Sequence, residues 1–352
     1  MNRTVKIGLL HKSPTIKFWL NICITILISF SFATLNAYNQ TSKAKIGILF
    51  ADFIIERWHN DRDNFIAKSK ELGYEVMVGD AENNQDKQNA QADSMINAGV
   101  KLLVVVPEDG YKAAKIVENA HKAGIKVVAY DRLIMNCNLD AYVSYDNEMV
   151  GQAMAIYITI RIKQGNFVYI GGPTSDRNSF FVRNGIYQIL TPLINNKSIN
   201  MVCDTSAQQW SKVEAYNITM DIISKNKHPN VIFAASDELA KGVIKCLVDL
   251  GLNGKILVTG QDADIDACRN IVNGNQILTL FKPPRLLADR AVQISSGLMG
   301  DMPFLTIVNT FNGKVNVPSL ILYPVPVDKN NLGNSVIKEG YHSEGDIYNP
   351  NK

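Results

Sequence analysis

From about residue 44 onward, short β-branched apolar runs alternate with longer amphipathic ones, the rhythm of strands and helices taken in turn. Strands are predicted at KIGILF (45–50), YEVMVGD (74–80), KLLVVVP (101–107) and IKVVAYD (125–131). The segments between them read as helices closed by Gly73, Gly99 and Gly124. Glycine tolerates the left-handed conformation that turns a chain out of a helix and into the next strand. Near-continuous apolar strands separated by helices predict a parallel sheet covered on both faces.

The rhythm restarts after Asp146, with strands predicted at NFVYIGG (166–172), INMVCD (199–204), NVIFAASD (230–237) and KILVTGQD (255–262). A further strand, QILTLFK (276–282), leads through a Pro-Pro pair into the helix LLADRAVQISSGLMG. The fold class is therefore α/β, with two Rossmann-like lobes built on parallel sheets flanked by helices. Residues 44–146 and 283–316 are expected to form the first lobe, and residues 147–282 and 317–352 the second. Three crossings between lobes would restrict their relative motion to a hinge. In open α/β sheets ligands bind beyond the carboxyl ends of the strands, so a cleft between the two sheets is expected to be lined by strand-end residues.

Ahead of this pattern, residues 18–35 (FWLNICITILISFSFATL) carry no charge and follow Arg3, Lys6, Lys12 and Lys17. Such a run is either a signal peptide or a transmembrane anchor. The residues after it make a poor A-x-A-like cleavage site, and Cys23 lies in its middle rather than at its end, which favours an uncleaved anchor. Residues 1–17 would then be a cytoplasmic tail, with everything beyond about Asn36 outside the cytoplasm.

Charge and cysteine content narrow the function. With 36 basic and 33 acidic residues the chain has no basic excess or stripe for nucleic acid. A DNA-binding repressor of similar architecture would open with a polar helix-turn-helix, where this chain has its apolar span. Cysteines 23, 137, 203, 246 and 268 form no C-x-x-C pair, giving no reason to infer a metal or redox centre. Neither a G-x-G-x-x-G after the first strand nor a Walker-type loop is present, and H-E-x-x-H and G-x-S-x-G are missing too. No enzyme class and no cofactor follow.

The predicted strand ends carry Arg57, Trp58, Pro107, Glu108, Asp131 and Arg132 in the first unit. The second supplies Asp176, Asn178, Trp210, Ser236, Asp237, Asp262, Asp264 and Lys282. A pyranose offers adjacent hydroxyls that both donate and accept, which suits planar carboxylates, amides and forked guanidinium groups, while its C–H faces pack on indole.

The segments ERWHNDRDNF (56–65), AYDRLI (129–134), SYDNEMVG (144–151), TGQDAD (259–264) and TLFKP (279–283), taken in order, resemble the D-xylose-binding members of the type I periplasmic sugar-binding family. The C-terminal VDKNNL and VIKEGYH are similar to the same group. The resemblance covers residue 44 to the end. It implies that Arg57, Asp131 and Arg132 of the first lobe and Asn178, Asp262 and Lys282 of the second hydrogen-bond the sugar, with Trp58 and Trp210 as aromatic walls. Where the xylose binders tend to carry Asn before the Asp of an SND-like turn, this chain has Ser236, a shorter hydroxyl whose contact would be lost or pass through water.

Other readings of individual residues compete with these. Arg57 has Asp61 one helical turn away as a partner. Asp264 and Asp266 read as caps of a helix starting near 264. Asp146 and Asn147, with Lys282, fall where the chain should cross between lobes and read as hinge residues. Glu108 and Asp237 stand open between hinge-side hydrogen bonding and direct contact. The resemblance implies a receptor for D-xylose or a related pentose. Its membrane partner is either a sensor histidine kinase, toward which a retained anchor tilts the reading, or an ABC permease.

Overall fold

The structure, a computed structural model, describes residues 44–303, 306 and 308–349. The expected tail and anchor at 1–35 lie outside the described residues; among those described, no helix is long and apolar enough to cross a membrane.

The first unit forms β1 (Lys45–Phe50), β2 (Glu75–Asp80), β3 (Leu102–Val105), β4 (Lys126–Tyr130) and β5 (Ala141–Tyr145). Between them run α1 (Arg57–Glu71), α2 (Gln85–Asn97) and α3 (Ala114–Lys122). All four residues of β3 are buried, as its unbroken apolar sequence requires when both faces of a sheet are covered. Gly73, Gly99 and Gly124 follow the three helices with φ of 83°, 80° and 71°, the left-handed geometry expected of them.

The second unit forms α4 (Asn147–Thr159), β6 (Gly165–Gly171), α5 (Arg177–Asn195), β7 (Ile199–Ser206), α6 (Lys212–Ser224), β8 (Val231–Ala234), α7 (Asp237–Asp249), β9 (Leu257–Thr259), α8 (Ile265–Asn273) and β10 (Thr279–Phe281). Its four-stranded parallel sheet has the order β7-β6-β8-β9. Leu278 bridges Thr259 and carries the sheet toward β10. The chain then returns to the first unit through α9 (Pro284–Met299), whose Leu287, Ala288, Ala291 and Val292 are buried with Phe65 of α1.

The last strands, β11 (Val308–Phe311), β12 (Asn316–Leu322) and β13 (Val325–Val327), correct one expected boundary. The seven-stranded first sheet runs β11-β12-β5-β4-β3-β1-β2, so residues 317–322 belong to it rather than to the second lobe. Strand β12 lies parallel to β5, with Ser319 opposite Tyr142 and Leu322 opposite Tyr145, while its first residues pair antiparallel with β11. The third passage therefore falls at Tyr323 and Pro324, after which β13 pairs with β10. The earlier passages fall at Asp146–Asn147, between β5 and α4, and at Lys282–Pro283, between β10 and α9. The four cysteines among the described residues are unpaired.

Candidate ligand-binding site

Both sheets point the carboxyl ends of their strands into one cleft, and the loops there close tightly around a pocket with about 20 Å³ of free space. All nine residues expected to contact a ligand line it: Arg57, Trp58, Asp131, Arg132, Asn178, Trp210, Ser236, Asp262 and Lys282.

Arg57 sits in the first turn of α1 and is 1% exposed. Its Nε donates to Asp61 Oδ2 at 3.1 Å and its Nη2 to Asp61 Oδ1 at 3.4 Å, so the helical partner read from spacing is present. That grip leaves Nη1 to face the cleft, where it donates to Asp131 Oδ2 at 3.0 Å and, across the lobes, to Asp262 Oδ1 at 3.3 Å. Asp61 is in turn contacted by the Tyr130 hydroxyl. Burial alone would lower the pKa of Arg57, but Asp61, Asp131 and Asp262 outweigh it and hold the guanidinium charged.

Asp131 has φ 60°, a left-handed conformation uncommon for a residue with a side chain. The turn aims its carboxylate at two neighbours: besides Arg57, Asn178 donates Nδ2 to its Oδ1 at 2.9 Å from the second lobe. Burial pushes the Asp131 carboxyl up, yet Arg57 and Lys282 win and keep it below its ordinary value. Asp262 is also backbone-strained, with φ 101°, and the following Ala263 has φ 57°. Lys282 donates Nζ to Asp262 Oδ1 at 2.8 Å. Two aspartates, one from each lobe, thus face a shared guanidinium.

On the other wall, Arg132 pairs through Nε with Asp176 Oδ2 at 2.8 Å and donates Nη1 to the Pro107 carbonyl at 3.2 Å. Asp176 caps α5 and also accepts from Trp210 Nε1 at 3.1 Å. The indole edge of Trp210 rests against Gly172, where a Cβ would come within 2.4 Å of the ring carbons, so only glycine gives it this seat. Trp58 is 2% exposed, with the guanidinium of Arg57 4.6 Å from its ring centroid.

Several expectations change. Asp264 occupies the N-cap position of α8 but makes no capping hydrogen bond; its carboxylate goes to Lys241 at 3.0 Å and lines the pocket. The free N–H of Ile265 is met instead by Glu56 from the opposite lobe, with both carboxylate oxygens at 3.3 Å. Asp266, set outside the site with Asp264, pairs with Arg269 at 3.4 Å. Ser236 is the cap of α7, its Oγ accepting from Leu239 N at 3.2 Å. Asp237 is turned away from the cleft toward Gln276, Thr279 and the Asp264 N–H. Glu108 approaches Arg132 only at 4.0 Å. Asp146 caps α4 at the first passage by accepting from Met149 N at 2.8 Å, and Asn147 donates to Asn178 at 3.0 Å, tying that passage to the site.

Asp176 carried a visible signal, its strand-end position, but was not placed among the contacts. Gln261 and Glu238 also line the pocket, and Gln261 lies inside the GQDAD motif. Ile55 adds an apolar wall that no polar motif could mark.

Paired parallel sheets with a polar cleft between them define a two-lobed binding protein of the type I periplasmic fold. The chain belongs to the family described as periplasmic binding protein domain, which matches residues 46–300, and it is a binding protein rather than an enzyme. It is 39% identical over 305 residues to the D-xylose-binding periplasmic protein of Haemophilus influenzae, covering 86% of this chain and 92% of that one. With the D-xylose-binding periplasmic protein of Escherichia coli it shares 35% identity over 329 residues, 93% of this chain and 98% of that one. Among solved structures, an ABC transporter solute-binding protein from Clostridium phytofermentans with bound β-D-glucose matches with a TM-score of 0.80 at 28% identity, covering 86% and 99% of the two chains.

Proposed function

We propose that this chain is an extracytoplasmic receptor that captures D-xylose, or a closely related pentose, and delivers it to an ABC-type permease. The observation that carries the reading is the pair of opposed aspartates, Asp131 and Asp262, joined through Arg57 across the cleft. Carboxylates on either side of a sugar ring accept from its hydroxyls, Arg57, Arg132 and Lys282 donate to them, and Trp58 and Trp210 cover its C–H faces. The two relatives named for D-xylose support the choice of sugar.

Closure follows from contacts that exist only when the lobes meet. Arg132 with Asp176, Arg57 with Asp262, Asn178 with Asp131 and Glu56 with the Ile265 N–H all cross the cleft. A sugar that bridges the same groups adds to them and shifts the population further toward the closed form, while the three passages at 146–147, 282–283 and 323–324 act as the hinge.

Transport is preferred to sensing because the solved relative at 28% identity is described as an ABC transporter solute-binding protein. The test is uptake of labelled D-xylose by the native host with the gene deleted. Uptake should fall sharply while xylose-dependent gene induction survives when sugar enters by another route. Normal uptake with lost induction would overturn transport in favour of a kinase partner.

A further inference from the structure

The cleft continues beyond the pocket just described. On the side away from the three hinge passages, past the edge strands β2 and β7, a second cavity of about 180 Å³ opens between the lobes. Ile54 and Asn83 line it from the first lobe, Gln209 and Lys212 from the second, and Trp210 and Glu238 line both cavities. We propose that this outer cavity is a subsite for a second sugar ring, so that the cleft accepts a pentose disaccharide with one ring in the inner pocket and the other here; the inference rests on the pentose reading of the inner pocket.

Trp210 is the shared platform. Its Nε1 is tied to Asp176 at 3.1 Å and its edge is seated on Gly172, so the indole is fixed in orientation between the two cavities. A rigid aromatic plane common to adjoining cavities suits two consecutive rings, each offering a C–H face. Asn83 and Gln209 bring one side-chain amide from each lobe, and an amide both donates and accepts, as neighbouring sugar hydroxyls do. Asn83 is held by a left-handed turn with φ 58°, its N–H donating to the Ala51 carbonyl at 2.9 Å. Ile54, 61% exposed, adds an apolar surface on the facing lobe. Lys212 opposes Glu238 and Asp52, and the Asp52 carboxylate is engaged by the N–H groups of Ile54 and Ile55, so the lining carries both signs of charge. The extension runs away from the hinge, leaving the passages at 146–147 and 282–283 clear of the second ring.

The test is calorimetry of the full-length chain with D-xylose and with β-1,4-xylobiose, repeated on the double variant Asn83→Gly, Gln209→Ala. Glycine at 83 preserves the left-handed turn. The expected result is one-to-one binding of both sugars, a loss of tenfold or more in xylobiose affinity in the variant, and a D-xylose affinity within twofold of the parent, which also reports that the variant is folded. Binding of D-xylose without xylobiose overturns the outer subsite and leaves the inner reading intact. Unchanged xylobiose affinity in the variant, or equal losses for both sugars, also overturns it. Failure of both sugars to bind overturns the pentose reading and the subsite with it.

Discussion

Replacing Asp262 by alanine removes one of the two opposed carboxylates and is the sharpest perturbation of the cleft. Its Oδ1 accepts from Lys282 at 2.8 Å and from Arg57 at 3.3 Å, and the residue is 7% exposed. Arg57 keeps Asp61 and Asp131 in the variant. Lys282, 3% exposed, loses its ion-pair partner, and a buried charge left without one costs about 3–5 kcal/mol when nothing else adjusts. Part of that cost falls on the protein before any sugar binds, through opening of the cleft to hydrate the lysine. The share appearing in binding is at least about 2 kcal/mol, the value of a charged hydrogen-bond partner removed from a buried group. Since ~1.4 kcal/mol is a factor of ten, D-xylose affinity should fall by about 30-fold or more. Calorimetric titration of the parent and variant measures this, with thermal unfolding to confirm that the variant is folded. An affinity within threefold of the parent would refute the placement of Asp262 in the site.

Three further outcomes follow from the same geometry. Glu56→Ala removes a contact that caps α8 from the opposite lobe only when the cleft is closed, so D-xylose affinity should fall by roughly two- to thirtyfold with little change in folding stability; capping interactions of ~0.5–2 kcal/mol set that range. Ser236→Ala removes the cap of α7 and should cost ~1 kcal/mol in thermal unfolding, whatever its effect on sugar binding. Burial raises the Asp264 carboxyl from 3.8 to about 7, with Lys241 opposing and Glu56 adding to the shift. The folded state therefore favours the protonated acid, and the stability this contributes, complete below pH 3.8, is lost as pH rises through about 7. Unfolding temperatures at pH 5 and pH 8 should consequently differ more for the parent than for Asp264→Asn; equal differences would remove Asp264 as the cause.

Much of this architecture was legible because parallel α/β units announce themselves. The apolar runs at 45–50 and 101–107 could only be strands covered on both faces, and the glycines after the helices marked each return. Strands β5 and β11 to β13 were harder to see. The segment AYVSY in β5 is short and follows its neighbour β4 closely, and the polar motif that starts in it drew attention to Asp146 instead. Strand β12 contains Pro318, which weakens its reading as a strand, yet it pairs with β5 along residues 319–322 and so moves the third passage to 323–324.

The candidate site was legible where polar side chains sit at strand ends, since topology alone brings those ends together. What sequence could not give was direction within the cleft. The capping role expected of Asp264 falls to Glu56: the residue in the capping position turns to Lys241, and the cap arrives from the other lobe, 209 positions away in the chain. Asp237 looks like a cleft residue by position, but Gln276 and Thr279 draw its carboxylate into the second lobe. Choices of this kind depend on three-dimensional neighbours that no local pattern contains.

The most direct test of the central claim is calorimetry of the purified protein against D-xylose, D-ribose, L-arabinose and D-glucose. One-to-one binding of D-xylose, tighter than that of the other three and weakened by Asp262→Ala, is the predicted result. Absence of D-xylose binding by protein shown to be folded would contradict the account.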